Sequence, residues 1–410
     1  MQLLFFDDDL ISQLYPFTRT RSAADIRCGI LTIRERWEKL LHTQASGTLA
    51  AGPLQPLYSI PETDGEMLVL NSRLLGGEGL LEALQALPEH TVLRTGDGIF
   101  LAARLAQMPK TREDFSGKTN SFPEKIFDGE APFLNRVWDI FSLNGAWIKK
   151  DFDLITRKRL SMLIPAGVHM KKNEQIFLEE GAQIGLGVLL NAGDGPIYIG
   201  KNAEIMDGAI VRGPVALGEG AVIKMGAKIY GDTTIGPGCK VGGEVSNTVF
   251  FANSNKGHDG FLGNAVIGEW CNIGADTNAS NLKNNYDKIK IHDDANDKRL
   301  ATGLTFCGLL MGDHSKCGIN TMFNTGTVVG VSCNIYGGEF PPAYIPSFSW
   351  GGAAGLKTYA LDKALDTADR MMARRGKSLT EGERAVLGAI FEATASQRAT
   401  HHAKADKNAE

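Results

Sequence analysis

The sequence lacks the cysteine patterns of secreted and zinc-binding domains. Its six cysteines form no Cys-x-x-Cys pair and follow no metal-ligand spacing, which indicates buried thiols in a reducing compartment. It also lacks a basic segment ahead of Asp7, and no apolar run approaches the roughly 18 residues that cross a bilayer. We therefore expect a cytoplasmic protein with no disulfide, no metal site and no membrane span.

An excess of charge of either sign is missing as well. The chain has 43 basic and 47 acidic residues, a formal net charge of -4. This balance gives no indication of nucleic acid or an anionic membrane as a partner, so we expect a small-molecule substrate. A length of 410 residues predicts two or three domains.

Glycine, in contrast, is abundant: 48 residues, most of them between 180 and 340. In this region an aliphatic residue recurs every six positions, and a small or β-branched residue follows each of them four positions later. The aliphatic positions include Ile199, Ile205, Val211, Leu217, Ile223, Ile229, Ile235 and Val241, and the small ones run from Ala203 to Val245. A six-residue period with one bulky and one small inward residue is typical of a triangular coil of three short strands.

The same period extends upstream to Leu178 and downstream to Ile335, so the repeat predicts a left-handed parallel β-helix over residues 165–345. It is broken between Val241 and Ile267 and again between Ile273 and Met311. We interpret both breaks as loops thrown out from the coils, where function on repeat proteins tends to lie. A solenoid without an active site remains the structural alternative.

The two ends of the chain have different patterns. Residues 1–110 combine a short apolar strand, a basic segment and a helical run from Ile30 to Leu41, which predicts a small α/β domain. Residues 111–164 read as a linker followed by a helix from Trp138 to Leu154. Residues 346–395 predict helices that cap the β-helix, and residues 396–410 a disordered tail in which His401 and His402 bind no metal.

The first break carries residues suited to acyl transfer to an amine. Such a reaction needs a base for the ammonium proton, a donor for the tetrahedral oxyanion and polar contacts for the acceptor. His258 fits the first task, and several asparagines nearby fit the others. His314 is the rival base, and a histidine in a turn can also be purely structural.

These residues resemble a known family. The stretches KGHDGFLG (256–263), IGEWCNIGADT (267–277) and NNYD (284–287) are similar to the acetyltransferase domain of the bifunctional enzymes that make UDP-N-acetylglucosamine. The resemblance implies that His258 is the general base, and it implies substrate contacts from Lys256, Asn272, Ala275, Asn285 and Tyr286, with Asn281 as an alternative to Asn285. The family's glycine is Asp276 here, and four extra residues precede the N-Y-D motif.

The resemblance also implies a cofactor and an assembly. It places acetyl-CoA, as a substrate, against the later coils near Gly312, Asp313 and Thr327, between neighbouring subunits. Acyltransferases of this fold are usually trimers, so the resemblance implies a homotrimer.

The N-terminal region lacks the family's L-x-x-G-x-G-T-R-M loop. It looks like a divergent Bacteroidetes-type group that begins with a segment similar to FTRTRSAADIRCGILTIRERWEKL (17–40). This resemblance implies a nucleotidyltransferase-like domain, with Arg19, Arg21, Arg27 and Lys39 as phosphate-contacting candidates and Mg²⁺ on the triphosphate. A solvated basic face is the alternative, and Asp97 is the available acidic residue.

Three functions are compatible with these patterns. The first is acetyl-CoA-dependent N-acetylation of an amino-sugar phosphate such as glucosamine-1-phosphate, coupled to UTP-dependent nucleotidyl transfer that gives UDP-N-acetylglucosamine. The second is acyl transfer to a nucleotide-linked amino sugar. The third is a non-catalytic solenoid that binds a sugar nucleotide.

Overall fold

The computed structural model describes residues 1–60 and 65–409, with side chains described to residue 403. The chain forms two compact units. The first comprises Met1–Leu14, Thr18–Ile26 and Leu31–Arg136, and the second comprises Tyr15–Phe17, Arg27–Ile30 and Val137–Glu410.

The first unit is an α/β domain built on a six-stranded mixed sheet. Its strands are β1 (Gln2–Phe6), β2 (Ala45–Leu49), β3 (Met67–Asn71), β4 (Thr91–Thr95), β5 (Phe100–Leu105) and β6 (Glu124–Phe127), in the order β2-β1-β3-β5-β4-β6. Only β5 runs antiparallel to its neighbours. Three α-helices belong to it: α1 (Ile33–Leu40), α2 (Leu80–Gln85) and α3 (Arg112–Thr119). Short 3₁₀ turns cover Asp9–Leu14, Ala23–Asp25 and Gly52–Leu57, and another lies at Phe17–Arg19.

The expected linker that starts at residue 111 is instead part of this domain. Thr111 caps α3 by accepting a hydrogen bond from the Asp114 amide, and β6 pairs with β4. Phe115 is buried against Phe6, with ring centroids 4.7 Å apart. One buried aromatic among polar neighbours anchors the segment, which its composition alone does not reveal.

The second unit is a parallel β-solenoid, and the fold class predicted from the hexapeptide period is confirmed. Its strands stack in three faces. Face A holds the strands Ile176–Leu178, Ile197–Ile199, Val215–Leu217, Thr233–Ile235, Leu310–Met311, Val328–Val329 and Tyr344–Ile345. Face B holds Gln183–Ile184, Glu204–Ile205, Val222–Ile223, Lys240–Val241, Asn255–Lys256, Asn272–Ile273, Lys316–Cys317, Asn334–Ile335 and Ser349–Gly352. Face C holds His169–Lys171, Leu189–Asn191, Ile210–Arg212, Lys228–Ile229, Asn278–Ala279 and Met322–Phe323. Two longer strands, Glu244–Phe250 and Phe261–Ile267, pass from face C to face A.

The predicted inward positions form the solenoid's core. Ile199 pairs with Leu217, which pairs with Ile235, so each regular turn comprises three hexapeptides. These aliphatic side chains and the small residues near the corners are buried in one continuous cluster. The core therefore grows by repetition, as the period predicts.

The two breaks in the period have different structures. The first stays within the coils, where the two longer strands absorb the change of phase. The second projects as an antiparallel hairpin of Lys290–Asp293 and Lys298–Ala301. A final strand, Gly355–Thr358, folds back on Ser349–Gly352.

Five further helices belong to the second unit. They are α4 (Asp139–Ser142), α5 (Asn144–Thr156), α6 (Leu361–Ala373), α7 (Glu381–Ala393) and α8 (Ala395–Ala409). The expected disordered tail is instead helix α8, in which Arg398 is buried and donates hydrogen bonds to Thr394 Oγ1 and Phe391 O. Among the described residues, no helix is long and apolar enough to cross a membrane.

Candidate active site

His258 lies on the corner of the solenoid between faces B and C. The strand Asn255–Lys256 ends just before it, and the strand Phe261–Ile267 begins just after it. Its side chain is exposed. The coil thus presents an imidazole at its surface, on a short turn held at both ends by strand pairing.

A cavity of about 860 Å³ opens beside His258 and is strongly basic. Coil residues and residues of α6 line it together, and no aspartate or glutamate is among the lining residues described. The basic lining residues are Lys224, Lys240, Lys316, Arg370, Arg374 and Arg375, with Asn255, Asn272 and Thr367 as polar neighbours. This composition suits an anionic group such as a phosphate.

Helix α6 is held against the coils by Arg375. Its guanidinium donates hydrogen bonds to the Gly238 carbonyl, to Asn253 Oδ1 (3.3 Å) and to Asn255 Oδ1 (3.2 Å). Arg370, which lines the cavity, pairs with Asp366 one turn earlier on α6 at 2.7 Å. Arg374 is exposed and lines the cavity.

A second cavity of about 680 Å³ adjoins the first. Lys224, Gly257, His258 and Ala275 line both cavities, while Asp259 and Asp276 line the second alone. The imidazole therefore stands between two spaces, an arrangement that suits a base between an acceptor and an acyl donor.

Lys256 lies beneath the His258 turn rather than in a cavity. It takes the inward position that Val241 occupies in the preceding coil, and it is 1% exposed. Its ammonium donates hydrogen bonds to the carbonyls of His258 (2.8 Å) and Asp259 (3.2 Å). Burial lowers the pKa of Lys256 to about 8, and the two bonds fix the turn that carries the imidazole.

The other acceptor-binding candidates divide into two groups. Asn272 and Ala275 line the cavity with His258, whereas Asn281, Asn285 and Tyr286 line neither cavity. Asn281 donates to Asn264 Oδ1 at 2.8 Å, and Asn285 donates to Asp287 at 2.5 Å. Tyr286 is 70% exposed, because the segment that carries it projects beyond the strand Asn278–Ala279 toward the inserted hairpin.

The candidates for acetyl-CoA contacts lie within the later coils. Gly312, Asp313 and Thr327 are all buried and line neither cavity. Asp313 Oδ1 accepts from the Glu269 amide at 2.8 Å, and Thr327 Oγ1 donates to the Asn324 carbonyl at 2.8 Å. These bonds support turns, and the rival base His314 also lines neither cavity.

The phosphate candidates near the N-terminus belong to different units. Arg19, Arg21 and Lys39 are in the first unit and Arg27 is in the second. Lys39 is exposed on α1, Arg19 is half-buried and Arg21 is buried. Arg27 is buried and donates a hydrogen bond to the Ile30 carbonyl, so its guanidinium stabilises a local turn.

The sheet of the first unit carries a polar network that the sequence analysis missed. Asp8 follows β1 and pairs with Arg73 after β3 through two bonds of 2.9 and 2.6 Å. Asn71 donates to Asp8 at 2.9 Å and to the Phe100 carbonyl at 3.0 Å. Asp97 lies in the turn after β4, at the same edge of the sheet. The carboxyl ends of strands are where α/β sheets bind ligands, and three aspartates directly after an apolar strand were the available signal.

Comparisons with known proteins find similarity to transferases. A family model described as "Sugar nucleotidyl transferase" matches residues 3–160. The bifunctional protein GlmU of Methanocaldococcus jannaschii is 32% identical over 90 residues, 22% of this chain and 21% of that protein. A bifunctional sugar-1-phosphate nucleotidylyltransferase/acetyltransferase of Sulfurisphaera tokodaii is 32% identical over 95 residues, 23% of each.

The resemblance to the bifunctional nucleotidyltransferase/acetyltransferase family is confirmed. The chain spans under a quarter of the length of these two relatives. Among solved structures, the UDP-N-acetylglucosamine acyltransferase of Arabidopsis is 16% identical with a TM-score of 0.25, covering 58% of this chain and 95% of that one. The expectation of a transferase is confirmed at the level of these relatives' class.

Replacing Lys256 by methionine tests the buried ammonium. The pKa of Lys256 is about 8 in the folded chain and 10.5 ordinarily, so between these values the unfolded chain binds more protons and stability rises with pH. Between pH 8 and 10.5, we expect the free energy of unfolding of the unmodified protein to rise relative to that of Lys256→Met by on the order of 2 kcal/mol. Urea unfolding of both proteins across this range measures the difference. A constant difference would contradict the prediction.

Proposed function

We propose that the chain transfers an acetyl group from acetyl-CoA to the amine of an amino-sugar phosphate such as glucosamine-1-phosphate, with His258 as general base. The observation that carries the proposal is the exposed imidazole between two cavities, one of them lined by cations and free of carboxylates among its described lining residues. The basic cavity would hold the acceptor's phosphate, and the adjoining cavity the thioester end of acetyl-CoA.

The chemistry follows from this placement. The amine nitrogen attacks the thioester carbonyl and forms a new C–N bond, His258 takes the proton from nitrogen, and the C–S bond breaks to release the CoA thiol, which recovers a proton. Lys256 bonds to the His258 and Asp259 carbonyls and so orients the base. Asn272, on the neighbouring coil, lines the same cavity and is the side-chain donor we assign to the acceptor.

Loss of the base should abolish acetyl transfer. We expect His258→Ala to lower kcat by roughly 10²- to 10⁴-fold, the usual contribution of a general base, measured as CoA-thiol release with glucosamine-1-phosphate. His314→Asn is the matched control, because asparagine tolerates the positive φ of 60° at that turn. A near-normal rate in His258→Ala would remove the proposed base, and thiol release only with nucleotide-linked amino sugars would redirect the acceptor assignment.

Arg374 should recognise the phosphate. We expect Arg374→Gln to raise KM for glucosamine-1-phosphate about tenfold, the effect of losing roughly 1.4 kcal/mol of binding, while KM for unphosphorylated glucosamine stays unchanged. Lys363→Gln, an exposed residue of α6 outside the cavity, is the matched control. A rise in KM for acetyl-CoA instead would assign the basic cavity to the phosphates of the acyl donor.

We also propose that the first unit catalyses nucleotidyl transfer from UTP to N-acetylglucosamine-1-phosphate, with Mg²⁺ screening the triphosphate. The family model over residues 3–160 and the polar edge of the sheet support this step. Asp97 offers a carboxylate oxygen of the kind that Mg²⁺ prefers, whereas both Asp8 oxygens accept hydrogen bonds from Arg73. Arg19, Arg21 and Lys39 are the cations of this unit that we assign to phosphates.

Pyrophosphate release from UTP should depend on these cations. We expect Arg19→Gln to lower the rate about tenfold or more, since an arginine–phosphate contact contributes about 1.5 kcal/mol or more, with acetyl transfer unchanged. His258→Ala serves as the reciprocal control and should release pyrophosphate normally. No pyrophosphate with UTP and Mg²⁺ would contradict this part of the proposal.

We propose a cytoplasmic homotrimer as the working form. Three exposed apolar residues follow the corner that carries His258: Leu186 (75% exposed), Met225 (69%) and Ile319 (69%). A row of exposed apolar side chains is typical of an interface, and a neighbour placed there would border the site. The buried free thiols of all six cysteines fit a reducing compartment.

Sedimentation equilibrium tests the assembly. We expect the mass of three chains, and we expect Met225→Lys to shift the equilibrium toward the single chain because a charge would be buried at the interface. Lys228→Gln, an exposed change on the adjoining strand, is the control. A single-chain mass for the unmodified protein at assay concentration would contradict the trimer.

A further inference from the structure

Three side chains that could hold a metal ion meet away from the candidate active site. His292 lies on the first strand of the inserted hairpin, Asp297 lies in the hairpin's turn, and His401 lies on α8. The His292 Nε2 atom is 2.9 Å and the His401 Nε2 atom 2.7 Å from Asp297 Oδ1. One ligand atom from each residue lies within 4.8 Å of the others.

The donor set matches a particular class of ion. Two imidazole nitrogens and one carboxylate oxygen are ligands that zinc binds at about 2.0–2.2 Å, commonly with water in a fourth position. Ligand atoms around a tetrahedral ion at this distance are about 3.3 Å apart. The two distances to Asp297 Oδ1 would therefore lengthen by roughly 0.4 to 0.6 Å, and the two imidazole nitrogens, which lie within 4.8 Å of each other, would adopt the same spacing. The three side chains are 10%, 38% and 14% exposed, which leaves an opening for water and for entry of the ion.

Surrounding side chains hold the two imidazoles in place. The Tyr344 ring stacks on His292 with centroids 3.7 Å apart and contacts His401 edge-on at 4.7 Å. The Tyr344 hydroxyl donates to Asp294 at 2.6 Å, and Gln397 of α8 donates to the Asp294 carbonyl at 2.7 Å. These contacts fix the orientation of both imidazole rings.

We infer that His292, Asp297 and His401 bind one Zn²⁺ ion, which fastens α8 to the inserted hairpin. The sequence predicts no metal site, because the three ligands lie far apart along the chain and a double histidine in a polar segment is typical of an unstructured region. The ion would be structural, since none of its ligands lines either cavity at His258.

The adjacent histidine provides a matched control. His402 points elsewhere, with Nε2 2.9 Å from Ser349 Oγ, so His402→Gln removes a histidine from the same turn of α8 without touching the proposed ligands. His401→Gln and Asp297→Asn each remove one ligand while preserving polarity and size.

The experiment measures Zn²⁺ binding to the full chain after removal of bound metal with a chelator. We expect one tight equivalent by calorimetry, a rise in Tm of roughly 5 °C at saturation, and the intense visible absorption of a tetrahedral ion when Co²⁺ replaces Zn²⁺. His401→Gln and Asp297→Asn should weaken that equivalent by about 100-fold or more, since even partners outside the ligand set contribute 10- to 100-fold, whereas His402→Gln should retain it.

Three results would overturn the inference. The unmodified protein could bind no tight equivalent of Zn²⁺, His401→Gln and Asp297→Asn could bind Zn²⁺ as tightly as the unmodified protein, or His402→Gln could weaken Zn²⁺ binding as much as the two ligand variants do. Co²⁺ absorption of the unmodified protein keeps the test valid should a variant fail to fold. Acetyl-transfer activity should change little, so failure of this inference is distinguishable from failure of the proposed function.

Discussion

Close stacking of successive coils is the constraint on which the second unit depends. Each turn of three hexapeptides hydrogen-bonds to the turns on either side, as in the ladder from Ile199 through Leu217 to Ile235. This leaves room on the axis for one aliphatic side chain per strand and only a small one near each corner. A residue that departs from this rule must find its own compensation inside the coil.

Lys256 is the clearest departure, and it lies directly under the candidate base. A lysine at an inward aliphatic position loses solvation, and Lys256 takes the place of Val241 where the coil is shortened at the first break in the period. Two backbone carbonyls compensate the ammonium, and both belong to the turn that displays His258. The desolvation of Lys256 in the core is therefore coupled to the placement of His258 at the surface. Unfavourable local features of this kind are common at functional sites.

The sequence was most informative where structure repeats. The six-residue period predicted the solenoid and its inward residues because burial on the axis imposes that period directly. The family resemblance, rather than the period, pointed to His258, Asn272 and Ala275, and these three residues line one cavity. Prediction was weaker where contacts join distant segments: Arg374 and Arg375 complete the basic cavity from the segment just after α6, far along the chain, and no periodicity encodes that contact. Phe115 and Arg398 likewise anchor segments whose polar composition resembles a linker and a tail.

The return of α6 to the coils has a consequence for biosynthesis. A solenoid can fold progressively as it leaves the ribosome, since each coil contacts only its neighbours, and the coils around His258 emerge more than a hundred residues before Arg375. The cations of α6 and of the residues that follow it, and the bond from Arg375 to Gly238 that seats the helix, emerge only after all of these coils. A nascent chain would therefore carry a folded scaffold with an unfinished anion-binding wall until the segment that includes Arg374 and Arg375 has emerged.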